Sequence, residues 1–219
     1  MLRFETAVDD AVSGFAAGVP AGSRVLDAGA GEARHAGRFA HCRYVATDLG
    51  VGDAAWDYSH LDALADLVAQ PFADGTFSAA LCIVVLEHVR DPQLVVHELG
   101  RVLAPGGRIL IAVPQEWERH QEPHDYFRFT SHGVRTLLDR AGVDSVSIVP
   151  VGGLFTLLGR RVHFAVLLCQ GGWRWLFFPW FALVCWPLGV ALPWLDWLDR
   201  DKAHTLGYIV HGRRRGGSA

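Results

Sequence analysis

Short apolar runs alternate with amphipathic stretches along the first two-thirds of the chain. Phe4, Val8, Val12 and Phe15 recur at helical spacing, which predicts a helix over residues 4–18. Apolar runs predict strands at 24–28, 43–47, 63–67, 78–84, 108–113 and 145–151, and a last one from Leu206 to His211. The run at 78–84 is almost continuously apolar, as a parallel strand covered on both faces must be. Helices are expected at 32–40, from Asp91 to Leu103 and from Thr130 to Ala141. Asp91 and Thr130 are placed to cap the last two, Pro92 fits a first turn, and Gly142 fits a stop. Strands alternating with helices define an α/β fold, a doubly wound, mostly parallel seven-stranded sheet.

One segment breaks the pattern. The core reads as 1–153 and the last strand as 204–212, with a basic tail at 213–219. Between them residues 154–203 form an apolar, tryptophan-rich insertion. Trp175 to Leu195 is 21 residues without a charge, long enough to span a bilayer. If the strands on either side share one sheet, a single crossing would leave them on opposite sides of the membrane. The run Val162 to Cys169 is too short for a return span, and Pro179, Pro187 and Pro193 oppose a straight helix. The expectation is a monotopic hairpin dipping into one leaflet. Trp173, Trp175, Trp180, Trp186, Trp194 and Trp197 would lie at headgroup level, with Arg160, Arg161, Arg174 and Arg200 beside anionic lipid. The alternatives are a buried cap or lid, or a homodimer interface.

Charge and cysteines change this picture little. The net charge is −3, Lys202 is the only lysine, and no basic stripe with interleaved aromatics appears outside the short tail, so no nucleic-acid partner is expected. Cys42, Cys82, Cys169 and Cys185 show no metal-like spacing; the last three read as buried hydrophobes in a reducing compartment. Met1 to Asp10 is mixed and charged and does not read as a signal peptide. The expected location is cytoplasmic, peripheral on the inner face of the cytoplasmic membrane.

The chemistry is concentrated in Val25-Leu26-Asp27-Ala28-Gly29-Ala30-Gly31-Glu32-Ala33 and the later Val45-Ala46-Thr47-Asp48. An apolar strand ends in an acid, two glycines turn the chain so that backbone can approach a ligand, and a second strand ends in an acid suited to ribose hydroxyls. A dinucleotide site needs a third glycine where Arg34 stands. A carboxylate at Asp27 would repel a pyrophosphate but suits an ammonium or a sulfonium. S-adenosyl-L-methionine carries both and no phosphate.

With these residues the chain resembles the class I S-adenosylmethionine-dependent methyltransferases of the type 11 group. Their pattern, acid-x-Gly-x-Gly-x-Gly, is kept except at Ala33. Gln70-Pro71-Phe72-Ala73-Asp74-Gly75-Thr76-Phe77, Val85-Leu86-Glu87-His88-Val89 and Arg101-Val102-Leu103-Ala104-Pro105-Gly106-Gly107-Arg108 follow in the family's order, with Ser78 where Asp is usual. The resemblance covers about residues 20–150. It implies that Asp27, Gly29 and Gly31 hold the methionine part of the cofactor and Asp48 the ribose. Asp66 with Leu67 would meet the adenine, and Cys82 would lie under the transferred methyl.

Glu87-His88 is structural in most relatives. In quinone O-methyltransferases a similar pair contributes to a metal site, but no third ligand is identifiable in the sequence, so no metal is expected. His88 is a candidate general base. The loop His120-Gln121-Glu122-Pro123-His124-Asp125-Tyr126-Phe127-Arg128-Phe129-Thr130 lies at the carboxyl edge of the sheet, where open α/β folds bind ligands. His124 is the preferred base, because imidazole titrates near neutrality, and Tyr126 stands beside it. Alternatively, Tyr126, Phe127 and Phe129 pack in the core while Asp125 and Arg128 pair. His35, His41, His60, His97 and His204 read as ordinary surface residues.

The expected function is methyl transfer from S-adenosyl-L-methionine to a small, lipid-like acceptor (a quinone or isoprenoid, or a lipid-linked sugar) at a membrane surface. A soluble small-molecule methyltransferase and a non-catalytic cofactor-binding scaffold are the rivals.

Overall fold

A computed structural model describes residues 2–216 except 54 and 170. Its centre is one seven-stranded sheet in the order β3-β2-β1-β4-β5-β7-β6. The strands are β1 (Arg24–Ala28), β2 (Arg43–Asp48), β3 (Ala63–Leu64), β4 (Phe77–Ile83), β5 (Leu103–Pro114), β6 (Val143–Val151) and β7 (Gly207–Arg214). All neighbours pair in parallel except β7, which runs antiparallel to both β5 and β6.

The hydrophobic pattern explains the layers. α1 (Leu2–Ala17) buries Phe4, Val8, Val12 and Phe15 against Val25, Leu81 and Leu110 on one face of the sheet. On the other face α2 (Pro92–Val102) and α3 (Ser131–Arg140) bury Val95, Val96, Leu99, Val134 and Leu138 against Leu26, Ala80 and Ile111. Neighbours along β4 point to opposite cores, so the strand carries no polar face except at Ser78. The Asp91 side chain accepts from Leu94 N, and the Thr130 hydroxyl from Gly133 N, as capping requires.

Four expectations change. The helix at 32–40 does not form; turns lead into a 3-10 segment at Ala36–Phe39. Gly31 and Ala33 both take positive φ, +55° and +54°, which breaks the helical path, and Phe39 is the one buried residue of the 3-10 turn. β3 is two residues long, and Asp66 lies past it in a turn. β7 runs to Arg214, so Arg213 and Arg214 belong to the sheet. Arg214 donates to the carbonyls of Arg101 and Leu103, and Arg215 pairs with Asp144. Residues 217–219 of the expected tail lie outside the described residues. Finally, Pro187 sits inside a helix instead of ending it.

That helix belongs to the insertion. α4 (Leu154–Ala165) leads through short 3-10 segments into α5 (Phe178–Ala191), and a 3-10 segment at Leu192–Leu198 returns to the sheet. The two helices form a hairpin. At Gly159 they approach so closely that a Cβ would lie 2.8 Å from the Gly189 carbonyl. Asp196 and Asp199 close its base. Asp196 accepts from Gly153 N, Thr156 N and the Thr156 hydroxyl, and Asp199 accepts from Leu154 N. These carboxylates satisfy orphan donors of the first turn of α4, a task its cap, Gly153, cannot perform.

Candidate active site

At the carboxyl ends of β1 and β2 the glycine loop is held from within. Gly29 N and Ala30 N donate to the Thr47 carbonyl at 2.8 and 3.0 Å. Gly31 N donates to Asp48 Oδ2 at 2.9 Å, and Gly50 N to Asp48 Oδ1 at 2.8 Å. The expectation that these amides face a ligand is therefore corrected. The glycines provide room, while the amides position Asp48. Gly29 has φ +80°, and a Cβ there would lie 2.5 Å from Val85 Cγ2. Ala33, where the family has its last glycine, keeps the left-handed conformation that glycine would adopt without strain.

Asp27 is 1% exposed. Burial pushes its carboxyl up to about 6, against the pull of the Tyr44 hydroxyl, which donates to Oδ2, and of Arg34. A buried acid with this deficit fits a cationic ligand. Tyr44 escaped the sequence reading because it lies 17 residues away, inside β2. Trp56 was missed too; its ring edge covers Gly31, where a Cβ would lie 3.3 Å from Trp56 Cζ3. Asp66 is exposed and accepts from Val68 N at 3.2 Å, while Leu67 is buried next to it. Cys82 is fully buried, and burial, then Glu87 and Asp27, push its thiol up, so it is no nucleophile. Among these residues the fit to S-adenosylmethionine rests on two acids flanking a roomy turn that carries no third glycine.

The segment after β4 joins this site to the loop between β5 and α3. Val84 takes φ +58°, a strained conformation for a β-branched residue. Val85 then packs on Gly29, and the Glu87 carbonyl accepts from Tyr126 N and Phe127 N at 2.8 and 3.2 Å. The three expected acid–base residues come together here. His88 Nδ1 lies 2.6 Å from the His124 carbonyl, and His124 Nδ1 lies 3.0 Å from the Tyr126 hydroxyl. Burial lowers the His88 imidazole below its ordinary value, which keeps it neutral. Asp125 and Arg128 pair through both guanidinium nitrogens at 2.6 and 2.8 Å, and that pairing holds the Asp125 carboxyl down at about 2. Phe129 is buried, but Tyr126 and Phe127 are each 37% exposed, so the loop's aromatics are split between core and surface. His35, expected at the surface, is buried; desolvation and then Arg34 and Arg38 hold it at about 4.

The same loop is tied to the insertion. Arg160 is buried, stacks 3.7 Å over Trp117 and pairs with Glu118. Arg161 pairs with Glu118 at 2.9 Å and Glu116 at 3.7 Å. Both arginines were expected to face lipid; they are instead committed to the β5–α3 loop.

Comparison with known proteins agrees with the geometry. Residues 26–111 match the family model described as a methyltransferase domain. A tRNA (carboxymethyluridine(34)-5-O)-methyltransferase from Arabidopsis thaliana is 32% identical over 116 residues, 51% of this chain and 28% of that protein. A demethylmenaquinone methyltransferase from Renibacterium salmoninarum is 32% identical over 123 residues, 50% of this chain and 47% of that protein. The chain thus spans less than half the length of these relatives. The structure of Burkholderia thailandensis 1,6-didemethyltoxoflavin-N1-methyltransferase with S-adenosylhomocysteine superposes with a TM-score of 0.57 at 18% identity, covering 96% of this chain and 81% of that one. The match to the methyltransferase-domain model over residues 26–111 and the likeness to these methyltransferases support a class I S-adenosylmethionine-dependent methyltransferase.

Proposed function

We propose that the protein transfers a methyl group from S-adenosylmethionine to a small, lipid-like acceptor, a quinone or isoprenoid or a lipid-linked sugar, at a membrane surface. The cofactor supplies an electrophilic methyl on a sulfonium. Asp27 holds its ammonium, Asp48 its ribose hydroxyls, and Asp66 with Leu67 its adenine. Cys82 and the Val84–His88 segment close the floor beneath the methyl. Bound there, the cofactor would offer its methyl to an acceptor lone pair; His124, held by its hydrogen bond to the Tyr126 hydroxyl, would take the acceptor's proton, and His88 would fix the His124 backbone. Alignment and exclusion of water by the loop carry most of the catalysis.

The membrane part rests on one observation. The helical run Gly172–Leu198 is long and apolar enough to cross a membrane, yet its most apolar window is only 6% buried. Trp173, Trp175, Trp180, Trp186, Trp194 and Trp197 are 63–76% exposed. Exposed apolar surface of this extent is rare on soluble monomers. The base of the hairpin is stitched shut at Asp196 and Asp199, so both its ends return to one side, which favours interfacial seating over a crossing; the inner face of the cytoplasmic membrane is the side we propose. The demethylmenaquinone methyltransferase acts, by its name, on a quinone, which supports the acceptor class.

Flotation with vesicles of mixed zwitterionic and anionic lipid tests this. The intact protein should float with them, and a triple variant Trp180→Ser, Trp194→Ser, Trp197→Ser should not. A protein that stays with the soluble fraction as a dimer by sedimentation would overturn the membrane reading and assign the face to a second copy.

A further inference from the structure

We propose that Glu87, His88 and His120 form a binding site for one divalent transition-metal ion of the zinc class, stapling the β5–α3 loop to the end of β4. One ligand atom from each lies within 4.8 Å of the others. Glu87 Oε1 and His88 Nε2 are 3.8 Å apart, and the two imidazole rings meet edge to face at 4.7 Å between centroids. His120 stands 32 residues further along the chain than His88, on a different loop, which is why no third ligand could be identified from spacing.

Two of the three ligand residues offer donor atoms that are buried and unpartnered. Glu87 is fully buried, and neither of its oxygens has a hydrogen-bond partner among the described residues; the same holds for His88 Nε2. Unpartnered buried carboxylate oxygens are costly and rare. Among the described residues no cation bonds to them, since the nearby Arg128 is spent on Asp125.

The tautomers point the same way. His88 Nδ1 faces the His124 carbonyl at 2.6 Å, and His120 Nδ1 faces the Glu118 carbonyl at 3.0 Å. A carbonyl only accepts, so each Nδ1 carries a proton, and the tautomer this selects has its lone pair on Nε2. Backbone carbonyls on the far nitrogen are how proteins orient imidazole toward a metal. His120 N also donates to Asp125 Oδ2 at 3.0 Å, so the Asp125–Arg128 pair fixes the backbone that carries the ring.

Two imidazoles and one carboxylate suit zinc or its neighbours rather than magnesium or calcium, which take oxygen. Ligand lengths of about 2.1 Å would bring the three atoms to about 3.4 Å from one another, a closure of at most about 1.4 Å from the observed spacing. Three protein ligands leave a position open to water or to an acceptor oxygen. The site holds together the two segments that carry His88, His124 and Tyr126, whatever acceptor they serve.

The test uses the full chain without a polyhistidine tag, stripped with chelator and dialysed against zinc(II) or cobalt(II). We expect one ion per chain by elemental analysis, a cobalt ligand-field absorption band, and a metal-dependent rise in Tm. Glu87→Gln and His120→Asn should each weaken binding about a hundredfold and abolish the band, while His97→Asn, remote on α2, should not. S-adenosylmethionine binding by calorimetry confirms that the variants are folded. Binding that survives in His120→Asn, or the lack of a cobalt band in the native chain, would overturn the site and leave an adventitious ion only.

Discussion

Lowering the pH from 7 to 5 should weaken S-adenosylmethionine binding about tenfold, because the carboxylate proposed to meet its ammonium, that of Asp27, loses its charge. Asp27 titrates near pH 6 in the ligand-free protein. It is then about nine-tenths ionised at pH 7 and about one-tenth at pH 5, a difference worth about 1.3 kcal/mol of binding. A bound cation holds the group ionised, so near pH 5.5 binding should release about three-quarters of a proton. Calorimetry in two buffers of different ionisation enthalpy reads both quantities. Removing the Tyr44 hydroxyl, whose hydrogen bond pulls the Asp27 carboxyl down, should move the break to higher pH in Tyr44→Phe. Asp27→Asn should bind weakly with no break at all. An affinity that stays within twofold between pH 5 and 7.5, or an Asp27→Asn variant that binds like the native chain, would refute the assignment of Asp27. The same shift sets a stability slope. A folded value near 6 against 3.8 for the unfolded chain favours the fold fully below pH 3.8, and that stability is lost as pH rises through 6, at most roughly 3 kcal/mol. Without cofactor, Asp27→Asn should therefore be the more stable protein at pH 7.

Other perturbations follow from local geometry. Ala33→Gly should raise stability to urea by about 1 kcal/mol, by relieving the left-handed conformation at +54°. Gly29→Ala should lose cofactor affinity by more than about tenfold in calorimetry, and Val85→Ala should restore part of it, because the new Cβ would meet Val85 first. Asp196→Asn should cost about 1–2 kcal/mol and speed amide exchange through α4, whose first-turn donors it satisfies. Each Trp→Ser exchange among Trp180, Trp194 and Trp197 should reduce vesicle partitioning by about tenfold, if each ring contributes about 1.5 kcal/mol of buried apolar surface.

Legibility differed by element. β1, β4, α2 and α3 could be read nearly to the residue, because a strand covered on both faces must be apolar throughout and a capped helix carries its own start and stop. Residues 32–40 could not. Their apolar content is too small to bury a helix, and what decides their path is the left-handed conformation at Gly31 and Ala33. Asp27, Gly29, Gly31 and Asp48 could be picked out in the sequence as a candidate set, since a turn built to face a ligand needs acids and small residues at fixed spacing, and the structure brings them together at the ends of β1 and β2. How they work was not: the amides turned out to hold Asp48 and the Thr47 carbonyl, and Tyr44 and Trp56 joined the site through space.

The sequence by itself determined the fold class, the kind of cofactor and the presence of an apolar segment, because each depends on residue types at short range. Only the tertiary structure decided which distant groups share an environment. It placed Tyr44 on Asp27, His120 beside Glu87 and His88, and Arg160 and Arg161 on the β5–α3 loop instead of at the lipid edge. The reason is physical: burial, ion pairing and the lone-pair direction of an imidazole are set by neighbours brought together across the sheet's edge, and no spacing along the chain encodes them.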